Sequence, residues 1–182
     1  MSGGPARARD GSMSLMVACP DRVFEQHERL IRALSGNVFR ISQRVGDGAR
    51  TKLVNNLLAG INLVGAAETL ALALAQRMGL DPSRTLDVIE RSSGQSWIGT
   101  DRLRRALAGD DTARAHMTLL EKDTRLGLEA AQQLGIELVL GSRARDVFAQ
   151  ASAAGLAACD DLALFNWLLA QSDPGDTSDG QA

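Results

Sequence analysis

The sequence contains no tyrosine, and aromatic residues make up only 3% of it. Alanine and leucine are abundant instead, a composition that is typical of packed helices. The two cysteines, Cys19 and Cys159, are far apart and lack the spacing of metal ligands. This pattern favours two ordinary reduced thiols over a disulfide framework. The two histidines, His27 and His116, are equally isolated, so neither a zinc site nor a hydrolase triad is indicated.

Long apolar runs and an excess of charge are also lacking. The most apolar stretch, LVGAAETLALALA, is interrupted by Glu68 and Thr69, so we expect no membrane span. The first residues, MSGGPARARDGS, contain no apolar core of a signal peptide. The 20 basic and 22 acidic residues nearly cancel, so no overall field predicts nucleic acid or an anionic membrane as a partner. We therefore expect a cytoplasmic protein whose partners are recognised by local sites.

A glycine-rich G-x-G-x-x-G turn and a P-loop are both absent from the 182 residues. These motifs bind the phosphates of dinucleotides and nucleotides through backbone N–H groups at the start of a helix. The chain therefore shows no nucleotide-binding fingerprint of its own. Its length suits one domain with a proper core, together with part of a second domain.

Residues 1–45 predict a strand, a helix and a second strand. The segment MSLMVAC at 13–19 is apolar and stops at Pro20, as a short buried strand does. The next segment predicts a helix with an apolar face, and a second strand follows at 38–41. The connection has about the minimum length for parallel strands joined by a helix, so the unit is βαβ-like. The apolar helix face consists of Val23, Phe24, His27, Leu30, Ile31 and Leu34.

From residue 46 onwards the pattern predicts helices only. The span 49–78 is periodic, rich in alanine and leucine, and stops at Gly79. A helix far longer than the usual three turns is typical of one that crosses a whole domain or enters a partner. The acidic tail of small residues at 172–182 is expected to be disordered. Further helices are predicted at 82–91, 100–107, 113–134, 140–155 and 160–171.

Lys52 and Asn56 stand out near the start of the long helix. Because they are four residues apart, their side chains project from the same helical face. A lysine in such a position can act as a general acid or base. The spacing by itself favours the simpler alternative, a lysine that extends to solvent at a helix end beside the surface polar residues Asn55 and Asn56.

Three other segments contain candidate site residues. The glycines of MSGGPARARDG, including Gly3 and Gly4, have backbone N–H groups that suit a carboxylate or phosphate, although they also fit mobile coil. Lys122 precedes Asp123 in a predicted helix, where a solvated ion pair is the simpler interpretation. Trp97 lies in a polar segment between helices, where it can line a pocket or pack. Spacing alone does not choose between these alternatives.

In their order along the chain, four segments resemble those of the β-hydroxyacid dehydrogenase family, which includes 3-hydroxyisobutyrate, tartronate semialdehyde and threonate dehydrogenases. The segments are SGGPARARDGSMSLMV, VGDGARTKLVNNLL, EKDTRLGLEAA and AAGLAACDDLALFNWL. The resemblance covers nearly all of residues 1–171, and GQSWIGTDR leans towards the threonate branch. It implies a mainly α fold: a 6-phosphogluconate dehydrogenase C-terminal-like helical domain with a long central helix, preceded by a βαβ remnant of a Rossmann domain.

The resemblance also implies domain limits. Residues 1–45 correspond to the end of a dinucleotide-binding Rossmann domain, and residues 46–171 to an all-helical substrate and dimerisation domain. The tail at 172–182 follows. Most of the family's cofactor-binding domain is then expected to be missing, through a truncated gene product, a mis-started reading frame or excision of a fragment.

The site residues are implied by the resemblance in the same way. Lys52 occupies the position of the catalytic lysine, beside the hydroxyl of a small hydroxy acid, and Asn56 orients that substrate. Lys122 reaches the nicotinamide cofactor, which is NAD or NADP. No metal is implied. The substrate carboxylate is expected at Ser2, Gly3 and Gly4.

Two departures from the family pattern accompany these similarities. Ala115 stands where an aromatic residue is expected, and residues 137–140 read ELVL in place of a proline-rich PLPL-like segment. Two hypotheses remain. The first is an NAD(P)-dependent oxidoreductase of a small hydroxy acid that lacks most of its cofactor-binding domain. The alternative is a non-catalytic helical dimerisation module or an inactive truncated fragment, and both are compatible with a homodimer formed through the long helix.

Overall fold

The computed structural model describes residues 1–70, 78–110 and 112–172. It begins with a short helix, two strands that pair in parallel and a helix between them. The pairing runs from Ser14 opposite Asn37 to Ala18 opposite Ser42, with a register shift after Val17. The predicted strand, helix and strand are therefore confirmed. These first four elements are α1 (Gly4–Arg9), β1 (Ser14–Ala18), α2 (Asp21–Leu34) and β2 (Asn37–Ser42).

Polar contacts hold this first part of the chain together. The hydroxyl of buried Ser35 lies within hydrogen-bond distance of the Gly11 and Met13 carbonyl oxygens, and it accepts from the Asn37 N–H. At the opposite end of the sheet, the Arg40 guanidinium donates to the Cys19 and Ser42 carbonyls and to Asp21. Both ends of the strand pair are thus fixed by side chains that satisfy backbone groups.

The long helix α3 (Asp47–Thr69) starts in backbone contact with the sheet. Gly46, just before it, has a φ of 97°, a conformation that favours glycine. An added Cβ on Gly48 would lie 2.3 Å from the Met16 carbonyl oxygen, so only glycine permits this approach. The predicted helix 49–78 is confirmed as far as Thr69, and its predicted course through 71–77 lies outside the described residues.

Five further helices follow in the described part of the chain. A π-helical turn at Ser152–Leu156 extends the fourth of them, as far as the predicted end of that helix at residue 155. Of the predicted tail, Ser172 ends the last helix, and residues 173–182 lie outside the described residues. The helices are α4 (Pro82–Glu90), α5 (Trp97–Leu107), α6 (Met117–Gln133), α7 (Val139–Ala151) and α8 (Ala163–Ser172).

Three helix starts differ from the predicted ones by three or four residues. Helix α8 begins at Ala163 rather than at residue 160, and contacts in the structure explain the other two. Helix α5 begins three residues earlier than expected because the Ser96 hydroxyl accepts the Gly99 N–H at 3.2 Å, a normal N-terminal cap. Helix α6 begins at Met117 rather than at residue 113. The segment before it is kept out of the helix by pairing between His116 and Asp160, which lie far apart in the sequence.

The hydrophobic core surrounds the second half of α3. Helices α4 to α8 contribute to it, and β1 and β2 contact α3 near its start. An added Cβ on Gly60 would lie 2.6 Å from Thr124 Cγ2, so α3 and α6 cross closely at this glycine. The predicted mainly helical fold is confirmed, with one two-stranded parallel sheet. Within the described residues, no helix combines the length and apolar character needed to cross a bilayer. The buried core residues are Leu63, Val64, Ala67, Leu70, Leu86, Ile98, Leu103, Met117, Leu120, Ala144, Phe148, Ala151, Leu164 and Phe165.

Candidate active site

A cavity of about 640 Å³ lies between the N-terminal segment and the helices. Residues 1–7 and strand β1 form one side of it, and the first half of α3, the start of α5 and the middle of α6 form the other. This volume is within the range of small-molecule sites. All six residues to which the sequence resemblance gives a role line this cavity: Ser2, Gly3, Gly4, Lys52, Asn56 and Lys122.

Lys52 and Asn56 meet the same carboxylate. Asn56 Nδ2 donates to Asp123 Oδ2 at 2.6 Å, and Lys52 Nζ lies 3.6 Å from that oxygen. Helix α3 supplies the lysine and the asparagine one turn apart, and α6 supplies the aspartate. The Lys52 side chain is 37% exposed, so it is neither deeply buried nor free in solvent. It faces polar partners rather than the apolar residues around it in the sequence.

Asp123 connects the two lysines of the site. Its other oxygen, Oδ1, lies 3.1 Å from Lys122 Nζ. Burial tends to raise the pKa of Asp123, but hydrogen bonds from Asn56 and Lys122 and the charge of Lys52 outweigh burial and lower it. The carboxylate is therefore ionised at neutral pH and can hold both ammonium groups at the cavity. The ion pair that the sequence suggested for Lys122 is present, with Lys122 half exposed.

The N-terminal glycines are held in a defined conformation. Ser2 pairs with Ser14 in an antiparallel bridge, with its N–H donating at 2.9 Å and its carbonyl accepting at 2.8 Å. Gly3 and Gly4 have φ values of 134° and 66°, which residues with a Cβ rarely adopt. The interpretation as mobile coil is therefore replaced by a built turn that enters α1. Because the Ser2 N–H is already bonded, Ser2 can reach a ligand only through its hydroxyl.

An aromatic ring forms part of the cavity wall. Trp97, the first residue of α5, is 51% exposed and lines the cavity, which answers whether it packs or lines a pocket. The Arg7 Cζ atom lies 4.4 Å from the centre of the indole ring, and that of Arg102 lies 6.0 Å from it. Both distances are within the range of cation–π contacts. Arg7 and Trp97 thus bring α1 and α5 together across the cavity.

A buried ion pair closes the cavity on the side of Asp161. Arg102 Nε donates to Asp161 Oδ1 at 2.5 Å, and Arg102 Nη1 donates to Asp101 at the same distance. Burial raises the pKa of Asp161 to about 6 against the effect of Arg102, and the neighbouring Asp160 adds to the increase. Asp161 is only 1% exposed. This pair fixes one face of α5 to the segment that precedes α8.

The adjacent Asp160 organises a different set of contacts. It accepts from the backbone N–H groups of Arg114 at 2.5 Å, Ala115 at 3.1 Å and Leu162 at 3.2 Å. Burial tends to raise its pKa, but these three donors outweigh burial and lower it. Asp160 therefore positions the bend that brings Arg114 and Ala115 to the cavity.

Residues 46–168 match the family described as NAD-binding of NADP-dependent 3-hydroxyisobutyrate dehydrogenase. The chain belongs to this family. The resemblance to hydroxyacid dehydrogenases inferred from the four sequence segments is thereby confirmed.

Relatives within the 3-hydroxyisobutyrate dehydrogenase family include an L-threonate dehydrogenase of Cupriavidus necator. It is 37% identical over 164 residues, which are 90% of this chain and 54% of that protein. A solved 3-hydroxyisobutyrate dehydrogenase of Salmonella typhimurium has a TM-score of 0.82 at 34% identity, covering 91% of this chain and 57% of that one. Psf3, solved with NADP+ and 2-OPP, has a TM-score of 0.78 at 25% identity, covering 92% and 57%.

The chain spans about half the length of the curated relatives it matches. The comparisons therefore show that the chain belongs to the family and is similar to NAD(P)-linked hydroxyacid dehydrogenases. The activity and substrates of the whole relatives are a separate question, because the matched half need not carry all of them.

Sequence reasoning missed several residues of the site. Asp123 was visible only as half of a surface ion pair, because its contact with Asn56 joins positions 67 residues apart. Arg7 and Arg102 lie in the quoted segments SGGPARARDGSMSLMV and GQSWIGTDR but received no role there, because their common contact with Trp97 depends on the tertiary fold. A basic residue three positions after the Ser-Gly-Gly segment, on the first helix that the structure describes, is the signal that could have drawn attention to Arg7. Among the described residues, no three metal-ligating side chains cluster.

Proposed function

We propose that the chain is the substrate-binding and catalytic portion of an NAD(P)-dependent dehydrogenase of a small hydroxy acid, with Lys52 as its catalytic residue. The single observation that supports this most is the convergence of Lys52, Asn56 and Lys122 on Asp123 at one cavity. These residues come from two helices, and the Ser2–Gly4 turn lines the same cavity. Family membership favours this hypothesis over a non-catalytic module.

The finer architecture is part of the same proposal. We assign residues 46–171 to a 6-phosphogluconate dehydrogenase C-terminal-like helical domain and residues 1–45 to the end of a Rossmann domain. The family match that starts at residue 46 and the change from strands to helices at the same point support this boundary.

In the proposed reaction, the ammonium form of Lys52 gives a proton to the carbonyl oxygen of the substrate during reduction, and the neutral amine form takes the proton of the substrate hydroxyl during oxidation. The cofactor, when bound, would accept or supply the hydride at the substrate carbon that bears this oxygen. Asp123 holds Lys52 beside Asn56, whose amide orients the substrate. The Ser2 hydroxyl and the Gly3 and Gly4 backbone are the proposed contacts of the substrate carboxylate.

The described residues fit only one end of a nicotinamide cofactor. Lys122 is half exposed at the cavity, where its charge can meet an anionic part of NAD or NADP. The turn between β1 and α2 does not suit a pyrophosphate. Pro20 has no N–H, Asp21 is negatively charged, and Arg40 already donates to Asp21 and to the Cys19 carbonyl. We therefore propose Lys122 as the contact with the nicotinamide end and no pyrophosphate site at this turn.

The two tryptophans provide a direct test of substrate binding. Trp97 lines the cavity, whereas Trp167 packs against the core, so the second indole is an internal control. In the full chain labelled with 15N-tryptophan, L-threonate and 3-hydroxyisobutyrate should each be titrated and the two indole N–H signals followed. We expect the Trp97 signal to move with at least one of the two acids and the Trp167 signal to remain unchanged.

Variants test the residues named above. Lys52→Met and Asn56→Ala should each weaken binding about tenfold or more, since each removes a polar contact with the acid. Arg50→Ala is the matched control, because Arg50 is exposed on the same helix and does not line the cavity. A Trp97 signal that responds to neither acid would contradict the proposed function. Equal binding by the wild type and both cavity variants would contradict the proposed roles of Lys52 and Asn56.

A homodimer formed through α3 is a further part of the proposal. Val54 on α3 is 69% exposed, which is unusual for an aliphatic residue on a central helix. Leu58, one turn further on, is 55% exposed and also lines the cavity. Sedimentation of the full chain should show a dimer that Val54→Glu disrupts. Val23→Glu, on α2, is the control because Val23 is exposed outside α3. A monomeric wild-type chain would contradict the dimer.

A further inference from the structure

We propose that Arg7, seated on the Trp97 ring, binds the anionic group of the substrate and makes this cavity selective for carboxylates over neutral analogues. The inference rests on the proposed function and adds a recognition residue to it. Arg7 lies in the SGGPARARDGSMSLMV segment, where the resemblance gave a role only to Ser2, Gly3 and Gly4, and the role of Arg7 follows from contacts in this structure.

The first support is the position of the Arg7 side chain. Its stem crosses directly over Gly3: an added Cβ on Gly3 would lie 2.8 Å from both Cβ and Cδ of Arg7. Arg7 is half-buried and lines the cavity together with Ser2, Gly3 and Gly4. The guanidinium therefore belongs to the same wall as the turn that we propose for the substrate carboxylate.

The second support is the contact with Trp97. The indole attracts the guanidinium, whose Cζ lies 4.4 Å from the ring centre, and restricts the positions of this long side chain. Trp97 is itself fixed at the start of α5, where Ser96 caps the helix. A guanidinium that contacts a ring still has N–H donors around its edge, and these match the two oxygens of a carboxylate.

The third support is the distribution of charge around the cavity. Four cationic side chains of its lining already have a carboxylate within 4 Å: Lys52 and Lys122 with Asp123, Arg102 with Asp161, and Arg114 with Asp110.

Arg7 differs from these four, because no described carboxylate lies within that distance of its guanidinium. The pKa of Asp10 is lowered mainly by hydrogen bonds from Ser12, and the charge of Arg7 contributes less. A half-buried guanidinium with no carboxylate partner among the described residues has donors to offer an anion.

The experiment compares one ligand with and without its charge. The full chain is titrated calorimetrically with L-threonate and with its neutral amide, L-threonamide. In Arg7→Gln we expect L-threonate binding to weaken about tenfold or more, while amide binding changes by less than about twofold. Arg9→Gln is the matched control, because it removes the same charge from the same short helix at an exposed residue that does not line the cavity. It should leave both affinities unchanged.

Two further variants separate recognition from folding. Arg7→Lys keeps the charge and should retain a preference for the acid over the amide, although a weaker one, since an ammonium lacks the flat donor edge. Trp97→Phe should lose less acid binding than Trp97→Leu, because a phenyl ring still offers a face to the guanidinium. Thermal unfolding measured by circular dichroism should be similar in all these variants.

The outcomes distinguish this inference from the proposed function. If Asn56→Ala weakens acid binding but Arg7→Gln leaves it intact, or weakens acid and amide equally, the role of Arg7 is overturned and the proposed function stands. If the wild-type chain binds neither ligand, or binds acid and amide alike, both are overturned. Selective loss of acid binding in Arg7→Gln, with Arg9→Gln unchanged, supports the inference.

Discussion

In residues 1–45, Leu15 and Ser35 are buried, whereas the helices from residue 46 onwards enclose a continuous core around α3. The first part contains regular elements whose apolar residues stay largely in solvent: Leu30 is 63% exposed and Phe39 53%. Its strands are secured by Ser35 and Arg40 through polar contacts rather than by side-chain packing. Hydrophobic periodicity therefore predicts helices and strands in both regions, but only in the second region are the apolar residues of these elements largely buried.

The candidate active site lies where these two regions meet. Its catalytic and cofactor candidates, Lys52 and Lys122, stand on helices of the well-packed region. The proposed carboxylate contacts at Ser2–Gly4 stand on the less buried one. A site built this way has a rigid side and a side whose position depends on a few contacts. Gly48 and the contact between Arg7 and Trp97 are the points where the structure joins the two sides.

The largest expected difference between the regions comes from a matched pair of phenylalanines. Phe148 is fully buried on α7, and Phe39 is half exposed on β2. Phe148→Ala removes packing in the core and should lower the free energy of unfolding by about 3–5 kcal/mol. Phe39→Ala should lower it by about 1 kcal/mol or less. Urea unfolding of the two variants measures the difference, and equal losses would contradict the contrast in packing.

A matched pair of glycines on α3 tests the junction. An added Cβ on Gly48 meets the Met16 carbonyl oxygen at 2.3 Å, and the backbone must move to relieve it. Gly48→Ala should therefore destabilise the chain by about 1–3 kcal/mol. On the same helix, an added Cβ on Gly65 meets nothing within 4 Å. Gly65→Ala should stabilise the chain by about 0.5–1 kcal/mol, because alanine is the better helix former.

Amide hydrogen exchange locates the effect of the first variant. We expect Gly48→Ala to increase exchange mainly in β1 and at the start of α3, and to leave the core helices α6 and α7 protected. Increased exchange throughout the helical core would mean that the two regions unfold as one unit and would contradict the proposed junction.

Helices and strands could be predicted from the sequence because their signals are local. The apolar run ended by Pro20 indicated β1, and the long periodic span indicated α3. The non-helical course of residues 113–116 could not be predicted, because it depends on Asp160, more than 40 residues away. The start of α5, in contrast, could have been predicted, because its capping residue Ser96 directly precedes the helix in the sequence.

The residues of the candidate site also fall into those with a local sequence signal and those brought together only by the fold. Lys52 and Asn56 could be found because a fixed spacing of four places them on one helical face. Asp123, the residue that joins them, could not be found by spacing, because helix packing rather than sequence distance brings it there. The contact between Arg7 and Trp97 likewise depends on the packing of separate elements. Sequence patterns thus identify residues on one element, and contacts between elements need the fold.

The pH dependence of stability should also differ between buried and exposed carboxylates. Burial raises the pKa of Asp161 from 3.8 to about 6, so the folded chain holds this proton more tightly than the unfolded chain does. The contribution of Asp161 to stability is therefore fully present below about pH 4 and is lost as the pH rises to about 6. Urea unfolding from pH 4 to pH 7 should show this decline, and Asp161→Asn should flatten it by on the order of 1 kcal/mol.

Asp47, at the start of α3, provides the control with the opposite sign. Its pKa is lowered by hydrogen bonds from Arg44, Ser42 and Arg50. Its contribution is therefore present above pH 3.8 and is lost as the pH falls further. Asp47→Asn should change the acid limb and leave the decline between pH 4 and pH 6 intact. An Asp161→Asn profile parallel to that of the wild type would show that this carboxylate is ionised in the folded chain throughout the range.

The smallest expected effect concerns the apolar face of α2. Leu30 is 63% exposed, and no described residue of α2 is buried. Leu30→Gln should therefore change the free energy of unfolding by about 0.5 kcal/mol or less, as is normal for a surface position. Leu63→Gln, at a core position on α3 that is 1% exposed, is the contrasting variant and should be severely destabilising. A loss of several kcal/mol from Leu30→Gln would mean that α2 is covered in solution, and a loss that grows with protein concentration would identify a second copy of the chain as the cover.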